Sequence, residues 1–269
     1  MPNNSTTNSW LFPPATREVQ FDEKWSFVGK KEKHCDRDNP DDDWLGDHWD
    51  HVALDPEHRL VVSVVPGRRA AEQTQLLVED FYARTEGRLM NLMTSDENPA
   101  YAVSILDVYG EEVVPEPTGR PGRPRAPYKV PPKELRYATV HKIRENNRVT
   151  AVETRIIYGT KARIQKALKE STVSTKVNTV FIERHNGTDR NRNSRKVRKT
   201  YCFSKDWQIH EAVTYFTMYS YNFCWSVRTL REPGAKGQWE QRTPAMAAGL
   251  TDHIWSIKEW LTFPSVVQR

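Results

Sequence analysis

Hydrophobic and polar positions alternate along VQFDEKWSFVGKK (19–31): Val19, Phe21, Trp25 and Phe27 fall on one side of an extended chain, the period of a β-strand. HWDHVALD (48–55) and RLVVSVVPG (59–67) predict two more strands joined by the turn-rich DPEH, and the three make an antiparallel meander. In AAEQTQLLVEDFYART (70–85), Leu76, Leu77 and Phe81 recur at helical spacing, so a helix packed on that sheet follows. RLMNLMTSD (88–96) predicts a short fourth strand ending in a polar loop, where Pro99 is placed to open the helix YAVSILDVY.

Residues 115–132, PEPTGRPGRPRAPYKVPP, hold seven prolines, which favours an extended excursion over a packed element. LRYATVHKIRENNRVTAVETRIIYG (135–159) reads as two β-rich runs around Glu145, Asn146 and Asn147, a hairpin inserted into the fold. KARIQKALKE is a short helix, and 178–193 has the apolar-then-polar character of a helix running from core to surface. A long helix is expected over 206–231, with Ile209, Val213, Phe216, Ser220, Phe223 and Val227 down one side. Thr243 and Pro244 form a helix start ahead of AMAAGLTDHIWSIKEWL, giving a helical C-terminal extension. Strands interleaved with helices make this an α/β chain. The expected layout is a poorly ordered tail over 1–17, a main domain over 18–228 and the extension over 229–269.

With 269 residues, 37% hydrophobic and 28% charged, the chain can bury one sizeable core. A net charge of +5 hides an asymmetry: 36–57 is acidic, whereas 184–199, RHNGTDRNRNSRKVRK, is densely basic. Such a tract is the footprint of a polyanionic partner. Cys35, Cys202 and Cys224 are too few and too scattered for a disulfide framework, which points to a reducing compartment. The start of the chain lacks a basic-then-apolar leader, and no apolar run reaches membrane-spanning length, so a soluble, cytoplasmic protein without a membrane partner is expected.

Three carboxylates stand where an element meets a loop or the surface: Asp22 in the first strand, Asp96 at the exit of the fourth, and Glu183 early in the basic-tailed helix. Their wide separation means that only the fold could assemble them. A site of that kind suits magnesium, which takes hard oxygen ligands and keeps several waters, leaving room for phosphate. From spacing alone, the plainer reading is a turn-forming Asp and a solvated Glu.

Three segments carry a resemblance: VQFDEKWSFVGKK, LMTSDENPAY and IERHNGTDRNRNSRKVRKTYCFSKDWQIHEAV, in that order over residues 18–228, are similar to blocks of the insertion-sequence-one family of transposases. The resemblance implies a ribonuclease-H-like catalytic domain, a mixed sheet flanked by helices, with Asp22, Asp96 and Glu183 as metal-binding acids for Mg2+ or Mn2+. It also implies strand cleavage by water followed by attack of the freed 3′-hydroxyl on target DNA. Arg190, two helical turns beyond Glu183, stands where such enzymes carry a basic residue, but Gly187 lies between them and costs a helix about 1 kcal/mol relative to Ala. Members of the family carry a zinc-binding and helix-turn-helix region ahead of the catalytic domain; no CxxC pair or recognition helix is read here. That points to a separately encoded DNA-recognition protein as a partner, beside DNA itself and self-association at synapsis.

The tract supplies Arg184, Arg190, Arg192, Arg195, Lys196, Arg198 and Lys199 as expected DNA contacts, and GRPGRPR adds Arg120 and Arg123 as a minor-groove hook, with a plain linker as the simpler reading. A zinc site at His34, Cys35, His48 and His51 fits no standard ligand spacing. His185 could tune the acids or bond a neighbour. The aromatic stripe from Phe216 to Trp225 reads as core rather than as a base-stacking platform. A different class of function, a catalytically inactive remnant that binds DNA and represses transposition, stays compatible with the same basic tract.

Overall fold

The computed structural model describes residues 16–263 apart from 37, 117–124, 147 and 235–236. Most of the predicted tail and the expected hook residues Arg120 and Arg123 lie outside the described residues. In chain order the elements are β1 (Glu18–Val28), β2 (Gly46–Asp55), β3 (Leu60–Gly67), α1 (Ala71–Arg84), β4 (Leu92–Ser95) and α2 (Pro99–Tyr109). They continue with β5 (Glu111–Val113), β6 (Tyr128–Val130), β7 (Tyr137–Glu145), β8 (Arg148–Tyr158), α3 (Lys161–Glu170), α4 (Val180–Arg192) and α5 (Trp207–Cys224). The short β9 (Glu232–Pro233), β10 (Trp239–Glu240), α6 (Pro244–Ala247) and α7 (Ile257–Thr262) complete the chain.

One mixed sheet of six strands, ordered β3-β2-β1-β4-β7-β8, carries helices on both faces, consistent with a ribonuclease-H-like fold. β1, β2 and β3 form the antiparallel meander, while β1 pairs parallel with β4 and β4 with β7. On one face Val19 and Phe21 pack against Leu77, Val78 and Phe81 of α1 and Tyr101 and Ile105 of α2, all buried. Each fully buried side chain of this size contributes about 1.5–3 kcal/mol. On the other face Val52, Leu54, Val61 and Val64 meet Ile182 of α4 and Met218 and Tyr221 of α5. Leu92, Ala138 and Val140 meet Ile164 and Ala167 of α3.

The hairpin expected over 135–159 forms, but it is no insertion. β7 pairs with β4 and extends the main sheet, because Tyr137, Ala138 and Val140 are core residues that a peripheral ribbon could not bury. The proline-rich segment is closed at its base by the two-stranded ribbon of β5 and β6.

α5 departs from its expected face and length. Ile209 and Phe216 are 52% and 37% exposed, whereas His210, Thr214 and Met218 are buried. The reason is the polar stripe of β1 beneath the helix. Lys24 is fully buried there, ion-paired with Asp50 at 3.1 Å and with Asp189, and Lys196 reaches the same Asp50 at 2.7 Å. Lys196 Nζ also meets His210 Nε2 at 2.8 Å and donates to Thr214 Oγ1 at 2.6 Å, so the buried face of α5 must carry those polar groups. The helix ends at Cys224 rather than near 231, and Val227 N–H turns back to the Arg242 carbonyl. The expected C-terminal helix splits into α6 and α7 beyond Gly249, whose φ of 74° a helix does not tolerate; Ala245 and Trp255 pack on Phe223. No helix among the described residues is long and apolar enough to cross a membrane.

Candidate active site

The parallel pairing of β1 with β4 sets Gln20 opposite Thr94. Carried two residues on, the same register brings Asp22 beside Asp96, although neither segment contains a local metal motif. Gln20 and Thr94 both bond the Asn178 carbonyl, which ties the entry of α4 to these two strands. Gln20 Oε1 also accepts from the Ile182 amide, at 3.0 Å. The first turn of α4 thereby delivers Glu183 to the rim of the cavity that Asp22 and Asp96 line.

That cavity is about 620 Å³ and is lined by Asp22, Glu23, Asp96, Glu97 and Glu183 on its acidic side and by His141, Lys142, Arg190 and Arg198 among its basic residues. Carboxylate oxygens of Asp22, Glu23 and Asp96 lie within 4.8 Å of one another. Glu23 is the member that sequence reasoning missed. Strand alternation starts its side chain on the face opposite Asp22, yet its carboxylate reaches the same cavity: the side chain is 2% exposed, takes a bond from Asn98 Nδ2 at 2.8 Å and pairs with Arg69. Asn98 is also the N-cap of α2, its Oδ1 accepting from the Ala100 amide, and the Asn98 amide donates to Asp96 Oδ1 at 3.1 Å. One capping residue thus positions two acids, and the Asp-Glu-Asn-Pro sequence was its legible signal.

Glu183 lines the same cavity but stands outside the close trio. Its carboxylate is 44% exposed and is ion-paired with Lys142 of β7, with the Thr179 hydroxyl as a second donor. One turn further along α4, Asn186 Nδ2 donates to Asp22 Oδ2 at 2.8 Å, a contact for which the sequence offered no signal beyond helical spacing. α4 runs unbroken through Gly187, so Arg190 reaches the cavity wall.

Burial pushes the Asp22 carboxyl up to about 7, with the charges of Asp96 and Glu23 adding to the effect. Asp96 moves in the same direction, again chiefly through burial and then through Glu23. Acids crowded and desolvated in this way call for a cation or a proton between them. The donor set fits a hard divalent ion: all the carboxylate ligands are oxygens, and Asn186 Oδ1 beside them is a buried oxygen with no hydrogen-bond partner among the described residues.

The expected DNA contacts divide into three groups. Arg190 and Arg198 line the acidic cavity, and both also line an open groove along α4 that includes Arg184. Lys199 is exposed and Arg195 half-buried. Two expectations are corrected. Lys196 is 2% exposed and holds Asp50 in the interior, so it is a structural cation rather than a phosphate contact. Arg192 folds back on α5, donating to the Thr217 carbonyl at 2.9 Å and lying 4.9 Å over the Trp225 ring, so its guanidinium joins two helices. Two of the histidines weighed as zinc ligands serve packing: His48 stacks on Trp207, 4.4 Å between ring centres, and His51 Nδ1 meets the Val65 carbonyl at 3.2 Å, while His34 is exposed. His185 is buried against Tyr221 and Met218, and burial drives its pKa down to about 4, so it is neutral.

Residues 153–222 match the family model described as IS1 transposase. The matched span runs from β8 to the last turn of α5 and includes Glu183, Asn186 and Arg190, while Asp22 and Asp96 lie outside it. The match supports the insertion-sequence-one resemblance of the sequence and with it a transposase function, a class that implies DNA as partner and a divalent metal. No curated protein and no solved structure matches the chain.

Proposed function

We propose that this chain catalyses the DNA strand cleavage and strand transfer of an insertion sequence, with Asp22, Asp96 and Glu183 as its metal-binding acids. The observation that carries the reading is the parallel register that seats Asp22 beside Asp96 at the floor of a cavity whose rim bears Glu183, Arg190 and Arg198. The family match adds the class of reaction.

Glu23 joins the acids as a further oxygen donor or as the charge that keeps Asp22 and Asp96 receptive to a cation. Bound Mg2+ or Mn2+ would activate the attacking water or hydroxyl and stabilise the leaving oxygen. The protein's own part is positioning. Arg190 and Arg198 neutralise the phosphate that enters the cavity, and Asn186 orients the Asp22 carboxylate toward it. In the first step water cleaves the donor strand and leaves a 3′-hydroxyl; in the second that hydroxyl displaces a phosphodiester oxygen of target DNA, so phosphodiester bonds are exchanged without a covalent enzyme intermediate. Lys142 ion-pairs with the Glu183 carboxylate at the cavity edge.

Working on two ends at once calls for self-association, and recognition of those ends can come from a separately encoded protein. Association with the nucleoid follows from the substrate. The test is an assay with pre-cleaved element ends and a supercoiled target, in Mn2+ or Mg2+ and in EDTA. Joined product that needs the metal and disappears in Asp96→Asn is expected; joining by Asp96→Asn at the parent rate would overturn the reading.

A further inference from the structure

A second cavity opens on the far side of α4 from the acids. It is about 420 Å³ and combines aromatic walls, Phe181, Tyr221 and Trp225, with three arginines, Arg59, Arg184 and Arg228, and no carboxylate. Trp225 is 47% exposed. The Arg59 guanidinium lies 4.0 Å over the Phe181 ring, and among the described residues Arg59 Nη1 and His185 Nδ1, both from residues lining the cavity, are buried without a hydrogen-bond partner. Flat apolar walls with cationic corners are the chemistry that receives a nucleobase and its phosphate.

An open groove on α4 shares lining residues with each of the two cavities. Arg190 and Arg198 line both the acidic cavity and the open groove on α4, and Arg184 and Thr188 line both that groove and the aromatic cavity. Gly187 sits in this groove, in mid-helix, where a side chain is normally favoured. A Cβ there would meet nothing within 4 Å, so no packing inside the protein requires glycine. What glycine leaves free is the close approach of something from outside, and the flanking arginines make that a phosphate backbone.

We propose that one DNA strand leading away from the carboxylates crosses α4 over Gly187 and seats an unstacked nucleotide in the aromatic cavity, its base against Trp225 and its phosphate on Arg184 and Arg228. The proposal rests on the functional reading above and adds a nucleotide subsite that the strand-transfer chemistry itself does not require. It also revises the sequence expectation that Trp225 is core.

The test measures binding of fluorescein-labelled single-stranded dT10 by the full chain in EDTA, by anisotropy. Trp225→Ala and Gly187→Leu should each weaken binding about tenfold, within the range found for loss of one base-stacking contact, and Trp225→Phe should restore it. Leucine is the better helix former, so Gly187→Leu should melt no lower than the parent, which separates a blocked groove from a damaged fold. An abasic decamer should bind the parent about as weakly as dT10 binds Trp225→Ala, and should bind that variant no worse. Parent-like dT10 affinity in both Trp225→Ala and Gly187→Leu overturns the subsite, even in a preparation that joins strands. Weakened binding in both variants, in a preparation without metal-dependent joining, leaves the subsite standing and sinks the catalytic reading instead.

Discussion

At the scale of single residues, Asp22 has the clearest consequence. Its folded pKa of about 7 lies above that of an ordinary Asp, so its contribution to stability is present at low pH and is lost as pH rises through 7. In EDTA at pH 8 the parent therefore carries an unfavourable buried charge, and Asp22→Asn should stabilise the metal-free protein by on the order of 1–2 kcal/mol. At about pH 3, below the ordinary Asp pKa, where the carboxyl is protonated in the folded and the unfolded chain alike, the same substitution should have little effect. Differential scanning fluorimetry at the two pH values checks both the sign and the window, and an equal shift at each would contradict the burial argument. Alternation along β1 correctly marked Val19 and Phe21 as core and wrongly implied that Gln20, Lys24 and Ser26 face water. Binary patterning assigns polar residues to the surface, and it fails where a second layer of helices brings polar partners of its own, as α4 does with Asp189.

Among the elements, α4 and the loop after it show why a run of like charges cannot be read as one surface. Lys196 and Lys24 are matched inside the protein by Asp50 and Asp189, whereas Arg198 is exposed at the cavity mouth. Lys196→Met should lower stability in urea by about 3–5 kcal/mol, since it breaks a buried charge network, and should leave the salt dependence of DNA binding as in the parent. Arg198→Ala should do the reverse, reducing the slope of log affinity against log salt by about 1 with little change in stability. Asp50, held below the usual carboxylate range by Lys196 and Lys24 despite its burial, adds an acid limit. Its stabilisation is complete above the ordinary Asp pKa and is lost as pH falls toward the depressed folded value, so Asp50→Asn should flatten the acid side of the stability curve. Strand and helix order were legible because apolar periodicity sets them. The place of β7 and β8 was not, since a hairpin looks the same whether it stands apart or joins a sheet edge. The buried face of α5 was hidden for a related reason: its partners, Lys196 and Asp50, come from distant segments.

For the molecule as a whole, the candidate site is a junction between two layers. Asp22, Glu23 and Asp96 belong to the sheet side, while Glu183 and Asn186 ride on α4, joined to the sheet by the Asn186 contact and by Glu183's bridge to Lys142. A divalent ion taken up by both sets would clamp α4 to the sheet, and its binding energy would appear as stability of the folded state. Mn2+ should raise the melting temperature of the parent at pH 8 and slow amide exchange in the first two turns of α4, whereas α1 and α2, on the opposite face, should exchange as before. Lys142→Ala removes the competitor for Glu183. A part-exposed pair of this kind is worth no more than about 1 kcal/mol, so Mn2+ affinity should tighten by up to about fivefold. Glu183→Gln should abolish the protection of α4 and keep part of the thermal shift, because the three sheet-side acids remain. Protection of α4 that survives Glu183→Gln undiminished would mean that the helix is tied to the ion through Asn186 and not through Glu183, and would remove Glu183 from the metal site.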